Sequence, residues 1–255
     1  MVRNTLRTGL KRVLVVMTLF VLVTCTDDQS PLAPPDAGIP SFATGAPFSG
    51  PAVFVGAGDI AACTNNNDEA TAQLIDGIPG TVFTVGDNAY PFGRTIDYQN
   101  CYDATWGRHK ARTWAAHGNH EYDSSATADP SFDYFGDRIG PRGLGYYSFD
   151  LGAWHIVVLN DNGQFVPFTA NSTQDQWFQA DLATHPNLCT LVIWHEPFRF
   201  SNKNPGGSIT SPARKIFWDR AYAAGVDVVV NGNQDQYEPF LPRRPVMVIC
   251  LLDNY

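Results

Sequence analysis

The chain lacks a basic excess. Its 255 residues carry 17 Lys and Arg against 25 Asp and Glu, a formal net charge of −8. A nucleic-acid partner wants a basic face, so none is expected. An apolar run of membrane-spanning length is also missing. Residues 13–23 form the apolar stretch near the start, short of the roughly 20 residues a spanning helix needs. No internal repeat is visible. What remains is ordinary for a globular protein. The hydrophobic fraction is 44%, and the length suits one domain of moderate size or two small ones.

The two ends of that apolar stretch point to export. Arg3, Arg7, Lys11 and Arg12 precede it, so residues 1–24 read as a secretory signal. Leu22-Val23-Thr24-Cys25 resembles a bacterial lipoprotein cleavage site with Cys25 as the lipidated residue. A plain signal peptide or an uncleaved anchor is the alternative. The expected location is therefore periplasmic, envelope-bound or secreted, with membrane contact only through an N-terminal lipid. Residues 25–50 follow as a linker, with Pro31, Pro34, Pro35, Pro40 and Pro47 among Ala, Gly and Ser. Residues 51–255 are the expected folded domain. In an oxidising compartment a disulfide becomes plausible among Cys63, Cys101, Cys189 and Cys250. Cys63 and Cys101 are the best pair if their strands are neighbours; four buried thiols are the alternative.

Within that domain, short apolar runs stop at metal-binding types of residue. Val53-Phe54-Val55 leads into Gly58-Asp59, and Thr81-Val82-Phe83-Thr84-Val85 into Gly86-Asp87-Asn88-Ala89-Tyr90. Thr113-Trp114-Ala115-Ala116 leads into Gly118-Asn119-His120-Glu121, and Leu191-Val192-Ile193-Trp194 into His195. A fifth run, residues 226–230, ends in Asn231-Gly232 with no histidine after it. Such runs read as buried strands. In open α/β sheets ligands sit beyond the carboxyl ends of the strands, so these residues would share one rim. Helical patterns alternate with the runs. Asp68 is the expected cap of a helix to Asp76, and Thr173 with Gln176 suggests a capping box before Trp177. Ser211-Pro212 opens a helix that stops at Gly225. Residues 146–150 and 154–160 read as an antiparallel hairpin about Leu151-Gly152. The sum is a mixed α/β architecture.

Two divalent ions about 3.5–4 Å apart clamp a phosphate and activate a water for in-line attack. Asp87 is the natural shared ligand, with Asp59 and Tyr90 at one ion and Asn119 and His195 at the other. His120 would then lie near the leaving oxygen and could protonate it. Singly, each residue has a plainer reading. An Asp after a strand is often a turn or cap residue, and a lone His on an apolar strand is usually a satisfied core residue. His109, His117, His155 and His185 take that plainer reading. The ordered combination carries the inference.

On these motifs, together with Trp194-His195-Glu196-Pro197 and Asn231-Gly232 through Tyr237-Glu238, residues 53–240 resemble the calcineurin-like metallophosphoesterase superfamily. The likeness is to the bacterial branch similar to purple acid phosphatases. It implies a four-layer αββα sandwich of two mixed β-sheets flanked by helices. It also implies a dinuclear metal centre that hydrolyses phosphate monoesters. Carried over, Asp59, Asp87 and Tyr90 bind the first ion, Asp87, Asn119 and His195 the second, and His120 is catalytic. The last motif of the family, Gly-His-x-His-x-Tyr-Glu-Arg, departs here to Gly232-Asn233-Gln234-Asp235-Gln236-Tyr237-Glu238-Pro239. Asn233 and Asp235 stand where two histidine ligands are expected. Glu196 stands where this branch often has another His, and Asn202-Lys203-Asn204 lacks a further one. An oxygen-rich ligand set favours iron or manganese over zinc. A weakened second metal site is the expectation, with an impaired relative that only binds, or the product of a damaged gene, as the alternative. Residues 246–252 read as a strand close to the end of the chain. Truncation after about Leu241 and an exposed final strand are therefore expected.

Overall fold

A computed structural model of the chain describes residues 52–186, 189–201, 208–234, 238–239 and 247–250. The signal and linker expectations for residues 1–50, including Cys25, lie outside the described residues, as do Asn202, Lys203, Asn204, Asp235 and Leu241.

Alternating side chains make the runs into strands that are buried on both faces. The smaller sheet holds β1 (Phe54–Ala57), β2 (Thr81–Thr84) and β3 (Thr113–Trp114), all parallel. The larger sheet contains β4 (Tyr147–Leu151), β5 (Trp154–Val158) and β6 (Cys189–Ile193). A separate ribbon pairs β7 (Arg199–Ser201) with β8 (Ser208–Thr210). The larger sheet is completed by β9 (Val228–Asn231), β10 (Glu238–Pro239) and β11 (Met247–Cys250), in the order β10-β11-β9-β6-β5-β4. Among the described residues the antiparallel pairs of the two main sheets, β4 with β5 and β10 with β11, fall in the larger one.

The two sheets face each other through Phe83, Val85, Ala116, Ile156, Val158, Ile193 and Val230. The intervening residues of the same strands point outward. Val157, Val192, Trp194 and Val229 meet α5 (Thr173–Thr184) and α6 (Lys215–Ala224) through Phe178, Phe217 and Ala221. Behind the smaller sheet, Val82 and Ala115 pack with Ile75 of α1 (Asn67–Asp76) and Phe132 of α4 (Asp129–Phe135). Two short helices lie near the rim, α2 (Thr95–Asp97) and α3 (His120–Asp123). Period-2 burial therefore builds four layers, helix, sheet, sheet and helix, as expected. The hairpin is also present, with Leu151 opposite Trp154.

Three local expectations are corrected. Asp68 lies inside α1, not at its cap; it is buried and accepts a hydrogen bond from Thr105 Oγ1 at 3.2 Å. The cap of α5 is Ser172, one residue earlier than read, because its extended backbone lets its Oγ accept from the Asp175 N–H. Asp175 is also fixed by Arg220 of α6 at 2.9 Å, which sets the register of that turn. The final strand is not an exposed edge, since β11 lies between β9 and β10. Cys63 and Cys101 form a disulfide with Cα atoms 5.0 Å apart. Their separation of 38 residues corresponds to about 4 kcal/mol of loop-closure entropy removed from the unfolded chain.

One buried ion cluster makes stability depend on pH. His155, 1% exposed, donates Nδ1–H to Asp150 and Nε2–H to Asp181, both at 2.8 Å. Its ring stacks on that of His185 with centroids 3.7 Å apart. Burial opposes the charge, but the two carboxylates override it and push the pKa up to about 9. The folded state thus favours the imidazolium. Its contribution, on the order of 3 kcal/mol, is complete below an unfolded value near 6.5 and is lost as pH rises through about 9. The stability difference between the metal-free wild type and His155→Gln should shrink steadily from pH 6.5 to pH 9 in denaturant titrations. A constant difference would refute the clamp.

Candidate metal centre

The rim is built from turns that few side chains tolerate. Asp59 and Asp87 follow β1 and β2 with φ of 54° and 51°, and Asn233 follows β9 with φ of 67°. All three are non-glycine residues in the left-handed region, a strain typical of functional sites. Two glycines permit the close approach. A Cβ on Gly118 would sit 2.2 Å from Asp87 Oδ1, and one on Gly232 would sit 2.7 Å from Asp59 Oδ2. Larger residues at either position would fill the space that the carboxylates occupy.

These turns bring Asp59, Asp87 and His195 together, with potential ligand atoms within 4.8 Å of one another. All three side chains are buried. Tyr90 joins them, its hydroxyl 3.0 Å from Asp59 Oδ1 and 3.2 Å from Asp87 Oδ2. The smaller sheet supplies the acids and the tyrosine, and β6 of the larger sheet supplies the histidine.

The electrostatics are those of a site short of positive charge. Burial pushes Asp59 up to about 6, with His195 pulling down and Asp87 pushing up. At Asp87 burial acts upward too, but the charges of His195 and His120 and its hydrogen bonds win and hold it low. His195 resists its own burial and is raised well above the usual range by Asp87 and Asp59. Tyr90 is raised by burial and by both carboxylates, so its proton is firmly held. A bound cation would relieve each of these tensions.

The donor set fits a metal on a second ground. His195 Nδ1 is 2.7 Å from the Val85 carbonyl, which fixes the ring and leaves Nε2 facing the carboxylates. Nε2 is fully buried, has no hydrogen-bond partner, and stands 3.2 Å from Asp87 Oδ2. An imidazole with one nitrogen on a carbonyl and the other aimed between two carboxylates is oriented as metal-ligating histidines are.

The other expected residues divide. His120 gives its backbone N–H to Asp87 Oδ1 at 2.9 Å, and its ring packs against Tyr90 with centroids 4.7 Å apart. His120 Nδ1 lies 2.7 Å from the Pro91 carbonyl and 2.8 Å from Asp123 Oδ2, so Nε2 is the ring atom nearer Asp87, at 3.8 Å. Asn119 is exposed and lines a cavity of about 460 Å³ with Tyr122, Asp123, Asp161, Phe165 and Arg214. Asn233 reaches the centre through its backbone, donating N–H to Asp59 Oδ2 at 2.9 Å. Glu196 pairs with Arg214 at 2.6 Å, and that guanidinium also contacts Asp161.

Glu121, the last residue of the Gly118-Asn119-His120-Glu121 motif, is fully buried. Its Oε2 accepts from the N–H of Asp87 at 2.9 Å and of Gly118 at 2.7 Å. Its Oε1 accepts from the N–H of Asn88 and the hydroxyl of Tyr98, both at 2.9 Å. The carboxylate thus ties the Asp87 turn to the Asn119-His120 turn. In sequence an acid in the first turn of a helix looks like a dipole partner; its two-turn role needs the fold.

No family model matches the chain. Purple acid phosphatase 22 of Arabidopsis thaliana is 37% identical over 98 residues, covering 37% of this chain and 22% of that protein. Purple acid phosphatase 23 of the same plant is 27% identical over 210 residues, covering 69% of this chain and 45% of that protein. The chain therefore spans less than half the length of either. Among solved structures, a purple acid phosphatase from yellow lupin seeds superposes with a TM-score of 0.61 at 16% identity, covering 78% of this chain and 43% of that one. A dimetal phosphatase from Danio rerio gives 0.56 at 14% identity, covering 79% and 87%. GAP50, the anchor in the inner membrane complex of Plasmodium, gives 0.58 at 14% identity, covering 79% and 71%. The fold is that of the metallo-dependent phosphatases. The sequence relatives and the fold together support the calcineurin-like metallophosphoesterase superfamily.

Glu121→Gln keeps one accepting oxygen and places an NH2 against backbone donors. Metal affinity should fall about 10–100-fold, with about 2–3 kcal/mol of stability lost through unsatisfied buried groups. Calorimetric metal titration and thermal melts read both. Wild-type affinity in the variant would remove Glu121 from the site's support.

Proposed function

We propose that the chain is an exported, metal-dependent phosphoesterase of the purple acid phosphatase-like bacterial branch, acting on phosphate monoesters. The observation that carries this is the buried Asp59, Asp87, Tyr90 and His195 cluster, with the His195 Nε2 aimed between the two carboxylates. Asp59, Asp87 and Tyr90 would hold one ion; Asp87, Asn119, His195 and the Asn233-Asp235 segment would hold the other. When bound, such a pair supplies positive charge against a phosphoryl group and acidifies a water. Mostly oxygen donors favour iron or manganese.

The protein's own groups have separable tasks. Asp87 and Asp59 would neutralise and place the ions. The Val85 carbonyl holds His195 in the tautomer that presents Nε2. Asp123 and the Pro91 carbonyl hold His120 through Nδ1, which leaves Nε2 as the ring atom that would deliver a proton to the leaving oxygen. The adjoining cavity, with Tyr122 stacked on Phe165 at 4.7 Å, offers room for the leaving group. Export is supported by the Cys63–Cys101 disulfide, which an oxidising compartment maintains.

A weakened second ion site belongs to the same reading. Asn233 engages Asp59 through its backbone, and Glu196 is neutralised by Arg214. These two departures also favour the second reading, a catalytically impaired relative that binds through the same rim.

Metal analysis of purified protein should find fewer than two tightly held ions per chain that are lost in Asp87→Asn. Hydrolysis of an aryl phosphate should then rise when manganese or iron is added, and His120→Ala should cut it about 10²–10⁴-fold. Two tightly bound ions that are both lost in Asp87→Asn would refute the weakened site. Absence of hydrolysis at every metal supply, with ions bound, would refute the enzyme in favour of the binding protein.

A further inference from the structure

A second cluster lies at the other end of the larger sheet. β5, β6 and β9 run parallel, and their carboxyl ends face the rim. His155 is at the start of β5, directly across from Asp150 of β4 in register. Asp181 and His185 come from the end of α5. Asp150, His155 and His185 each offer an atom within 4.8 Å of the others.

The arrangement around these three is built, not incidental. Asp181 is held by Ser148, whose hydroxyl donates to Oδ1 at 2.8 Å. Its Oδ2 takes Nε2–H of His155 at 2.8 Å, and its backbone carbonyl is 2.8 Å from Nδ1 of His185. One residue therefore fixes one nitrogen of each stacked ring. Nδ1 of His155, directed at Asp150, and Nε2 of His185 are the nitrogens left to a ligand. A carboxylate on the far nitrogen of a histidine is the arrangement that orients metal ligands.

We propose that Asp150, His155 and His185 form a peripheral site for a late divalent transition ion, Zn²⁺ being the best match, which pins the β4–β5 hairpin to the end of α5. Two imidazoles and one carboxylate are a zinc-type donor set that leaves a fourth position for water. Asp150 and His185, with side chains 39% and 30% exposed, give the ion a path in. Binding replaces the Nδ1 proton of His155, which leaves to solvent, while Asp181 keeps the Nε2 proton.

The test uses the full chain, stripped with chelator and titrated with Zn²⁺, with the bound ions counted. The wild type should take up one more ion per chain than His185→Gln. The thermal shift on adding Zn²⁺ should be smaller in the variant. Asp150→Asn, altered at the most exposed ligand, is the second variant should His185→Gln fold poorly. Equal stoichiometry in wild type and variants overturns the proposal and leaves a proton-only clamp.

Discussion

Everything at the rim depends on holding two carboxylates side by side out of water. Asp59 and Asp87 are both buried, and each is within reach of the same tyrosine hydroxyl. Buried like charges repel strongly unless a cation or a proton intervenes. The chain meets that cost with His195 and with rigid backbone. Two strained turns, two glycines without room for a Cβ and the Glu121 staple all serve to fix where the carboxylate oxygens point. Such a cluster is poorly explained as a packing device, because apolar residues of the same size would be more stable there. It is well explained as a place for positive charge between two sheets.

The sandwich serves that purpose in a simple way. Each sheet is parallel where it matters, so successive strand ends return to the same edge. The apolar faces between the sheets hold those edges together, and only there can acids from β1 and β2 meet a histidine from β6. The disulfide adds a covalent tie close by, since Cys63 follows the Asp59 turn and Cys101 follows Tyr90.

Much of this was legible in the sequence, because strand ends and ligand types are local features. Asp59, Asp87, Tyr90 and His195 could be placed by asking where each apolar run stops. What could not be read were interactions between distant segments. Glu121 looks like an ordinary helix-start acid until the Asp87 turn is laid against it, 34 positions away. His155 reads as a core histidine, which it is, yet Asp181 lies 26 positions off and its effect on the ring was invisible. Asn233 illustrates the reverse. The sequence marked it as an altered ligand, whereas the structure records its backbone as the group that touches Asp59. Side-chain identity does not predict which atom of a residue in a left-handed turn will face the site.

If Asp59, Asp87, Tyr90 and His195 form a cation-binding centre, ferric iron loaded into the stripped protein meets the Tyr90 oxygen, and a phenolate bound to ferric iron absorbs visible light. A visible band should then saturate with iron bound per chain and disappear in Tyr90→Phe. Iron bound without that band, or a band that survives the substitution, would contradict such a centre.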